Sequence, residues 1–428
     1  MPDSSAVLPG GTRGERSFAA ERLLAPSQAI SAYFARVEIV PPSVERVALG
    51  AAAGRVLASD AVAREDHPSH ARSTMDGFAI LSGGGARRTI VGEVRMGAAA
   101  PRAIDANQTL RIPTGGALPD GADAVIPIED VDLEGETIVM RAKVAAGENL
   151  TQRAADLREG ERVLTAGRRL GAPELGVLAT LGCAMVEVFA RPRFGIISTG
   201  DELIDVAATP LLGQIRDSNR YAIGAALASF GAEPVQLPRA RDDADALRDA
   251  LRAALESCDA VVLTGGSSVG ERDLTPQIVA ELGPPGPVVH GVRVKPGKPT
   301  LLGAIGSKPV IGLPGNPASA LMILEAVARP IVVACTGVTN DAPLTLDAIA
   351  DKPFRGREGW TWFVPAKVRN AGGRLLAEPL PLRSSHVSLL ARAGGYVTLG
   401  ESAPNVEVGE SVRLTLFSSG GAPIERSP

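Results

Sequence analysis

Aromatic side chains are scarce: Phe, Trp and Tyr make up 3% of the 428 residues. The hydrophobic share is nevertheless 45%, so the cores must be built from Ala, Val, Leu and Ile. Cysteine is scarcer still. Cys183, Cys258 and Cys335 are odd in number and show no CxxC spacing, which argues against a zinc site or a disulfide framework. Of four histidines, only His67 and His70 lie close together, and all four read as exposed loop residues. The net charge is a mere −4, which argues against a general binder of nucleic acid or of membrane surfaces. Neither partner is expected. No apolar run has the length of a bilayer span, and the opening residues MPDSSAVLPGGTRGERS lack the hydrophobic core of a signal peptide. The expected compartment is cytoplasmic.

Glycine (48) and proline (33) are plentiful, which implies many tight turns between short elements. A chain of this length exceeds one ordinary core, so several domains are expected. In APSQAISAYFARV, Ile30, Tyr33, Phe34 and Val37 share a helical face, and LGAAAGRVLASD reads as a second short helix. From residue 62 to 150, short apolar runs are cut by Gly, Pro and Asp, the pattern of a small β-rich domain. Helical character returns in PELGVLATLG. The expectation is a discontinuous helical base (15–61 and 151–190) into which the β-rich domain (62–150) is inserted.

Residues 191–338 alternate strands and helices. RFGIIST, EPVQLPR, AVVLTGG and KPVIGLP read as strands. SNRYAIGAALASFG reads as a helix with Ile223, Leu227 and Phe230 aligned and Gly231 as its stop. DDADALRDALRAALES is amphipathic through Leu247, Leu251 and Leu255, and NPASALMILEAVA is a long apolar helix with Asn316 as N-cap and Pro317 at its first position. Such alternation predicts a parallel sheet with right-handed crossovers. Residues 342–420 return to short strands, hence a small, barrel-like β domain. The fold class is therefore multidomain α/β with a central parallel α/β domain.

Ligands bind beyond the carboxyl ends of parallel strands, and the unusual residues of the central domain gather there. Gly200-Asp201-Glu202 projects two carboxylates suited to Mg²⁺. Gly265 and Gly266 open a loop in which Ser268 offers a hydroxyl and Asp273 a carboxylate. Lys295 and Lys298 sit on the proline-stiffened KPGKP loop, closed by Pro299. Pro314, Gly315, Asn316 and Pro317 aim a helix N-terminus at the same edge. Singly, each has an ordinary explanation: a turn, two solvated lysines, a helix cap. On successive ends of one sheet they describe a pocket for phosphate-like groups. Neither GxxxxGK[ST] nor a Rossmann fingerprint is present.

Seven segments, STMDGFAI (73–80), RIPTGGALPDGADAVIP (111–127), STGDEL (198–203), GQIRDSN (213–219), TGGSSVGERD (264–273), KPGKP (295–299) and GLPGNPASA (312–320), together resemble the molybdopterin molybdenumtransferase family, which includes MoeA and the gephyrin E domain. Molybdopterin adenylyltransferases share a TGG turn but are shorter and lack the first two segments. The resemblance implies transfer of molybdenum from molybdate to adenylylated molybdopterin, with Mg²⁺-assisted release of AMP. It also implies a homodimer in which Asp76 and Thr114 reach the partner's site, and a molybdopterin adenylyltransferase as upstream partner. Among site residues it implies Asp273 as the essential acid, Ser268 with Asp76 and Thr114 in the catalytic set, and Asp201 and Glu202 as metal ligands. Substrate contacts would come from Gly265, Gly266, Lys295, Lys298, Pro299, Pro314, Asn316, Pro317, Asp242, Asp156, Arg357 and Ser384 (or its neighbour Ser385). The chain departs from the family in GENLTQRAAD, where Thr151 stands for the usual arginine, Ala154 for the usual glycine, and Arg153 lies two residues away. Ser267 replaces a common valine. The Thr151 and Ala154 departures favour a rival, a non-catalytic paralogue that holds the cofactor as a scaffold or chaperone; a catalyst of the adenylylation step is a third reading.

Overall fold

The structure, a computed structural model, describes residues 23–265, 274–381, 383–418 and 424–426. Contacts divide the chain into two compact units, one of Met1–Glu45, Gly54–Ala58 and Val188–Pro428, the other of Arg46–Ala53 and Ser59–Glu187.

The smaller unit is organised around a six-stranded sheet in the order Ala124–Pro127, Gly77–Ile80, Gln108–Ile112, Arg87–Glu93, Thr137–Met140, Val131–Glu134. Alternate residues feed two separate cores. Phe78, Ile80, Ile126 and Ile138 fill one; Ala79, Leu110, Ile112 and Val125 fill the other. Period-two alternation makes this possible, since successive side chains leave a strand on opposite faces. The helix read in LGAAAGRVLASD is reduced to a single 3₁₀ turn, Leu49–Ala51, followed by a strand at Val56–Leu57. Gly54, at φ 72°, turns the chain out of helical geometry. The one α-helix of this unit, Ala172–Thr180, matches PELGVLATLG.

In the larger unit a six-stranded sheet runs Glu233–Gln236, Arg193–Ser198, Ala260–Thr264, Lys308–Leu313, Leu301–Ile305, Pro285–His290. The first four are parallel, as the strand–helix rhythm predicts. The last two are antiparallel, because only Gly306 and Ser307 separate Leu301–Ile305 from Lys308–Leu313, and two residues can close a hairpin but never a crossover. Helices cover both faces. Phe194, Ile196, Val262 and Ile311 pack toward Ile223, Leu227 and Phe230 of the Asn219–Phe230 helix. Ile197, Val261, Leu263 and Val310 pack toward Leu247, Leu251 and Ala254 of Ala244–Ser257. Gly231, left-handed at φ 103°, stops the first of these helices as expected.

The Pro26–Phe34 helix joins the same core through Ala29, Tyr33 and the following Val37. That i, i+4, i+8 row leaves Phe34 40% exposed, so it does not share the buried face that its spacing suggested. The long apolar helix after Pro317 is interrupted by a π segment, Leu324–Ala328, before Arg329–Cys335. Pro330 lacks an N–H and crowds the carbonyl four residues back, so the ladder widens there. Hydropathy and length alone would allow Pro317–Cys335 to cross a membrane, contrary to the expectation that no apolar run reaches that length; 72% of its most apolar window is buried inside the protein. Those side chains supply the core.

Five strands then close on themselves: Thr361–Ala371, Arg374–Pro379, Thr345–Ala350, Ser411–Leu416 and Gly395–Leu399, the last pairing again with the first. Ala366, Val368, Ala377 and Leu414 fill this small barrel. Phe363, Leu390 and Tyr396 face instead the core of the α/β sheet.

Ala154 adopts φ 59°, a left-handed conformation that costs a non-glycine residue about 1–3 kcal/mol. Glycine loses about 0.5–1 kcal/mol more conformational freedom on folding. Ala154→Gly should therefore raise stability by about 0.5–1 kcal/mol, read as a higher urea midpoint by circular dichroism. An unchanged or lower midpoint would contradict the strain.

Candidate functional site

Strand order places Arg193–Ser198 between the strands that follow it, Glu233–Gln236 on one side and Ala260–Thr264 on the other. The chain reverses its winding between Arg193–Ser198 and Ala260–Thr264, and such a switch point opens a crevice beyond the carboxyl ends of the strands. The STGDE bend and Gly265 occupy this position. The Thr199 amide donates to Thr264 O at 2.8 Å. Gly265, at φ 90°, passes so close that a Cβ there would lie 2.3 Å from Thr199 O. A Cβ on Gly315 would in turn sit 3.5 Å from Gly265 Cα. Asn219 Nδ2 donates to Gly315 O at 2.8 Å, fixing the PGNP bend to the start of the Asn219–Phe230 helix. Three of the bends seen in sequence thus meet at one sheet edge.

Gly200 and its neighbours lead into a two-stranded ladder, Leu203–Ile204 with Ile215–Arg216. Asp201 and Glu202 are both exposed, and the Glu202 carboxylate folds back over Gly200, with Oε2 2.6 Å from where a Cβ would stand. Asp217 was not singled out from GQIRDSN, yet it is 3% exposed, with Oδ1 accepting from the Arg220 amide at 3.3 Å. A short polar segment rich in turn formers gives no sign that its aspartate will be buried.

The KPGKP loop is fastened from both sides. Val292 and Thr300 amides donate to Lys298 O, each at 2.9 Å. Gly297, at φ 99°, lies against Ile323, whose Cγ1 would be 2.1 Å from an added Cβ. Val294–Lys295 pairs with the barrel strand, Lys295 opposite Trp362, and Lys295 Nζ stands 4.6 Å from the Trp362 ring centroid. Beside them opens a cleft of about 430 Å³ whose lining includes Lys295, Trp362, Arg383 and Ser384. Ser384 O accepts from the Ala318 amide at 3.0 Å, so one N–H of the helix start is already engaged by the loop that carries Ser384. Pro314 is buried, Pro299 and Pro317 are half-buried, and Asn316 caps the helix with its backbone while its side chain makes no cap bond.

Other predicted residues lie elsewhere. Arg357 is in an exposed turn, 5.9 Å from the Trp360 ring; Arg355 lines the cleft instead, paired with Glu407 at 2.7 and 2.8 Å. Asp242 is exposed next to the residue that actually caps the Ala244–Ser257 helix, Asp243, whose carboxylate accepts from Ala246 N at 2.8 Å. Gly266, Ser267, Ser268 and Asp273 lie outside the described residues.

In the smaller unit, Asp76 and Thr114 are brought together. Asp76 Oδ1 accepts from Thr114 N at 2.7 Å and from Thr114 Oγ1 at 2.9 Å. These bonds, the backbone one foremost, hold the carboxyl below its ordinary range and keep it ionised. Asp156 is exposed, its amide donating to His67 O at 3.0 Å. Thr151 pairs in register with Arg72, and Arg153 is held by Asp66 at 2.7 Å. Among the described residues no three His, Cys, Asp or Glu side chains gather as a metal cluster.

Three family profiles match in sequence: the MoeA N-terminal region (domain I and II) over residues 24–182, a probable molybdopterin binding domain over 195–334, and the MoeA C-terminal region (domain IV) over 347–417. A molybdopterin molybdenumtransferase of Bacillus subtilis is 32% identical over 388 residues, covering 87% of this chain and 90% of the relative. The chain belongs to the molybdopterin molybdenumtransferase family. A second such relative, from Haemophilus influenzae, is 30% identical and is covered over 95% of its length, with 88% of this chain aligned. Among solved structures, a molybdopterin biosynthesis MoeA protein of Pyrococcus horikoshii superposes with a TM-score of 0.81 at 26% identity, covering 92% of this chain and all of that one. Family membership agrees with what the bends suggest, because the matched central profile spans all three that converge.

Gly265→Ala should cost at least about 2 kcal/mol, since a methyl group there meets a backbone carbonyl and φ is unfavourable for it. Thermal denaturation checks this. A variant as stable as the parent would show that the two bends separate readily.

Proposed function

We propose that this chain acts in molybdenum cofactor biosynthesis by transferring molybdenum from molybdate to the dithiolene of adenylylated molybdopterin, with hydrolysis of the phosphoanhydride and release of AMP. The observation that carries this reading is the contact of Gly265 with Thr199 and Gly315 at the switch point. It gathers backbone amides and a helix start where a chain of anionic groups can be held. Lys295 and Lys298, on a loop locked by Gly297 against Ile323, add positive charge for the tetrahedral dianion.

Asp201 and Glu202 fit Mg²⁺, which binds through one or two carboxylates and completes its shell with water and substrate phosphate. When bound, the cation neutralises pyrophosphate charge. The protein's own tasks are to orient the phosphates, to hold the oxyanion and to keep an ionised carboxylate near the scissile bond; Asp273 takes that last role by its place in the family motif. In this reading the enzyme works as a homodimer, with Asp76 and Thr114 serving the partner's site, and receives its substrate from a molybdopterin adenylyltransferase. The Asp76–Thr114 pairing supports a pre-set, charged group.

Adding molybdate to protein loaded with adenylylated molybdopterin should release AMP stoichiometrically, and Asp273→Asn should abolish release without lowering the melting temperature. Tight binding with no AMP above background would leave the scaffold reading, which the Thr151 and Ala154 departures favour. Pyrophosphate release from ATP, with the adenylyl group carried onto molybdopterin, would indicate the adenylylation step instead.

The shared site has its own test. Asp76→Asn and Lys298→Ala should each be inactive alone, and mixing the two, after dissociation and reassembly, should restore part of the activity. No recovery in demonstrably mixed dimers would place Asp76 and Lys298 in the same subunit's site or remove one of them from it.

A further inference from the structure

The cleft beside Lys295 is larger and more apolar than a tetrahedral oxyanion requires. At about 430 Å³ it falls in the range of sites for organic ligands, roughly 300–1,000 Å³. Its apolar lining includes Val364, Pro379 and Leu380; the polar contributions come chiefly from Lys295, Arg383 and Ser384. A small dianion uses the cations and the hydroxyl but gains nothing from the apolar wall, whereas a flat ring buries surface against it. Arg355, neutralised by Glu407, adds little net charge. Trp362 also lines the cleft.

We propose that this cleft, with Trp362 as packing surface and Lys295 and Arg383 as its cations, binds the flat heteroaromatic ring of an anion-bearing ligand. The inference rests on the reading above and assigns one ring of that substrate, adenine or pterin, to a place. Lys295 links the ligand's two parts. Its ammonium stands over Trp362 at 4.6 Å, a cation–π contact that an incoming anion competes for. Drawing the lysine off the indole exposes the ring face, so ring and anion should bind better joined than separately.

The chain has only two tryptophans, Trp360 and Trp362, which makes emission a local probe. In a Trp360→Phe background, titration with AMP and with pterin-6-carboxylate should give saturable quenching by one of them, and that probe identifies the ring. Adenosine or unsubstituted pterin, lacking the anion, should bind more weakly than its charged counterpart. By calorimetry, Trp362→Leu should weaken the successful probe about tenfold while inorganic phosphate binds at least as tightly as to the parent, and Trp362→Phe should retain affinity within about threefold, in line with stacking energies of aromatic side chains on bases. No quenching by either probe, or equal affinity in Trp362→Leu and the parent, overturns the proposal. So does loss of inorganic phosphate binding in both Trp362 variants, which would mark a structural role. AMP release is read on the same preparations. Release with unquenched Trp362 sinks this inference alone; quenching without release keeps the cleft and sinks the activity.

Discussion

Everything at the switch point hangs on a distance that admits no side chain. Gly265 passes Thr199 O where a β-carbon would be 2.3 Å away, and Gly315 approaches from the next strand. Backbones this close can offer amides to a shared guest; with side chains between them they would offer only side chains. The sheet makes the approach possible. Parallel register sets Ser198 beside Thr264 and Thr264 beside Leu313, so the bends start level with one another. The two-sided hydrophobic packing through Ile196, Ile197, Val261 and Val262 holds that register.

Much of the α/β architecture was legible because its signals are local and mutually consistent. The Leu247–Leu251 face, the Gly231 stop and the Asn316–Pro317 start each depend on a few adjacent residues. Features that depend on partners distant in sequence were less legible. Phe34 looked like core, but which helical row is buried is decided by the sheet it meets. The π segment before Arg329 follows from Pro330, which was readable in principle, yet the apolar pattern masked it. LGAAAGRVLASD has strong helix formers, and Gly54 together with strand pairing at Val56–Leu57 overrules them.

The site divides in the same way. Asp76 and Thr114, 38 residues apart, proved to be hydrogen-bonded to each other; the resemblance named both residues but not their pairing, and spacing alone could not supply it. Asp217 and Trp362 escaped notice because burial and neighbours, not residue type, make them significant. Arg355 rather than Arg357 lines the cleft for a related reason: Arg355 belongs to the short strand Phe354–Arg355, whereas Arg357 lies in the exposed loop beyond it, and no charge pattern in the sequence reveals where that strand ends. Family resemblance supplies candidates; register decides among them.

The short pairing of Val294–Lys295 with the Thr361–Ala371 strand gives the C-terminal barrel a mechanical part in holding the KPGKP loop. A barrel resists shear because every strand has two neighbours, and this one carries a lysine of the neighbouring domain as though it were its own sixth stave. The terminal domain is thus a jig rather than an ornament: remove it, and the ammonium group loses the rail along which it is aligned.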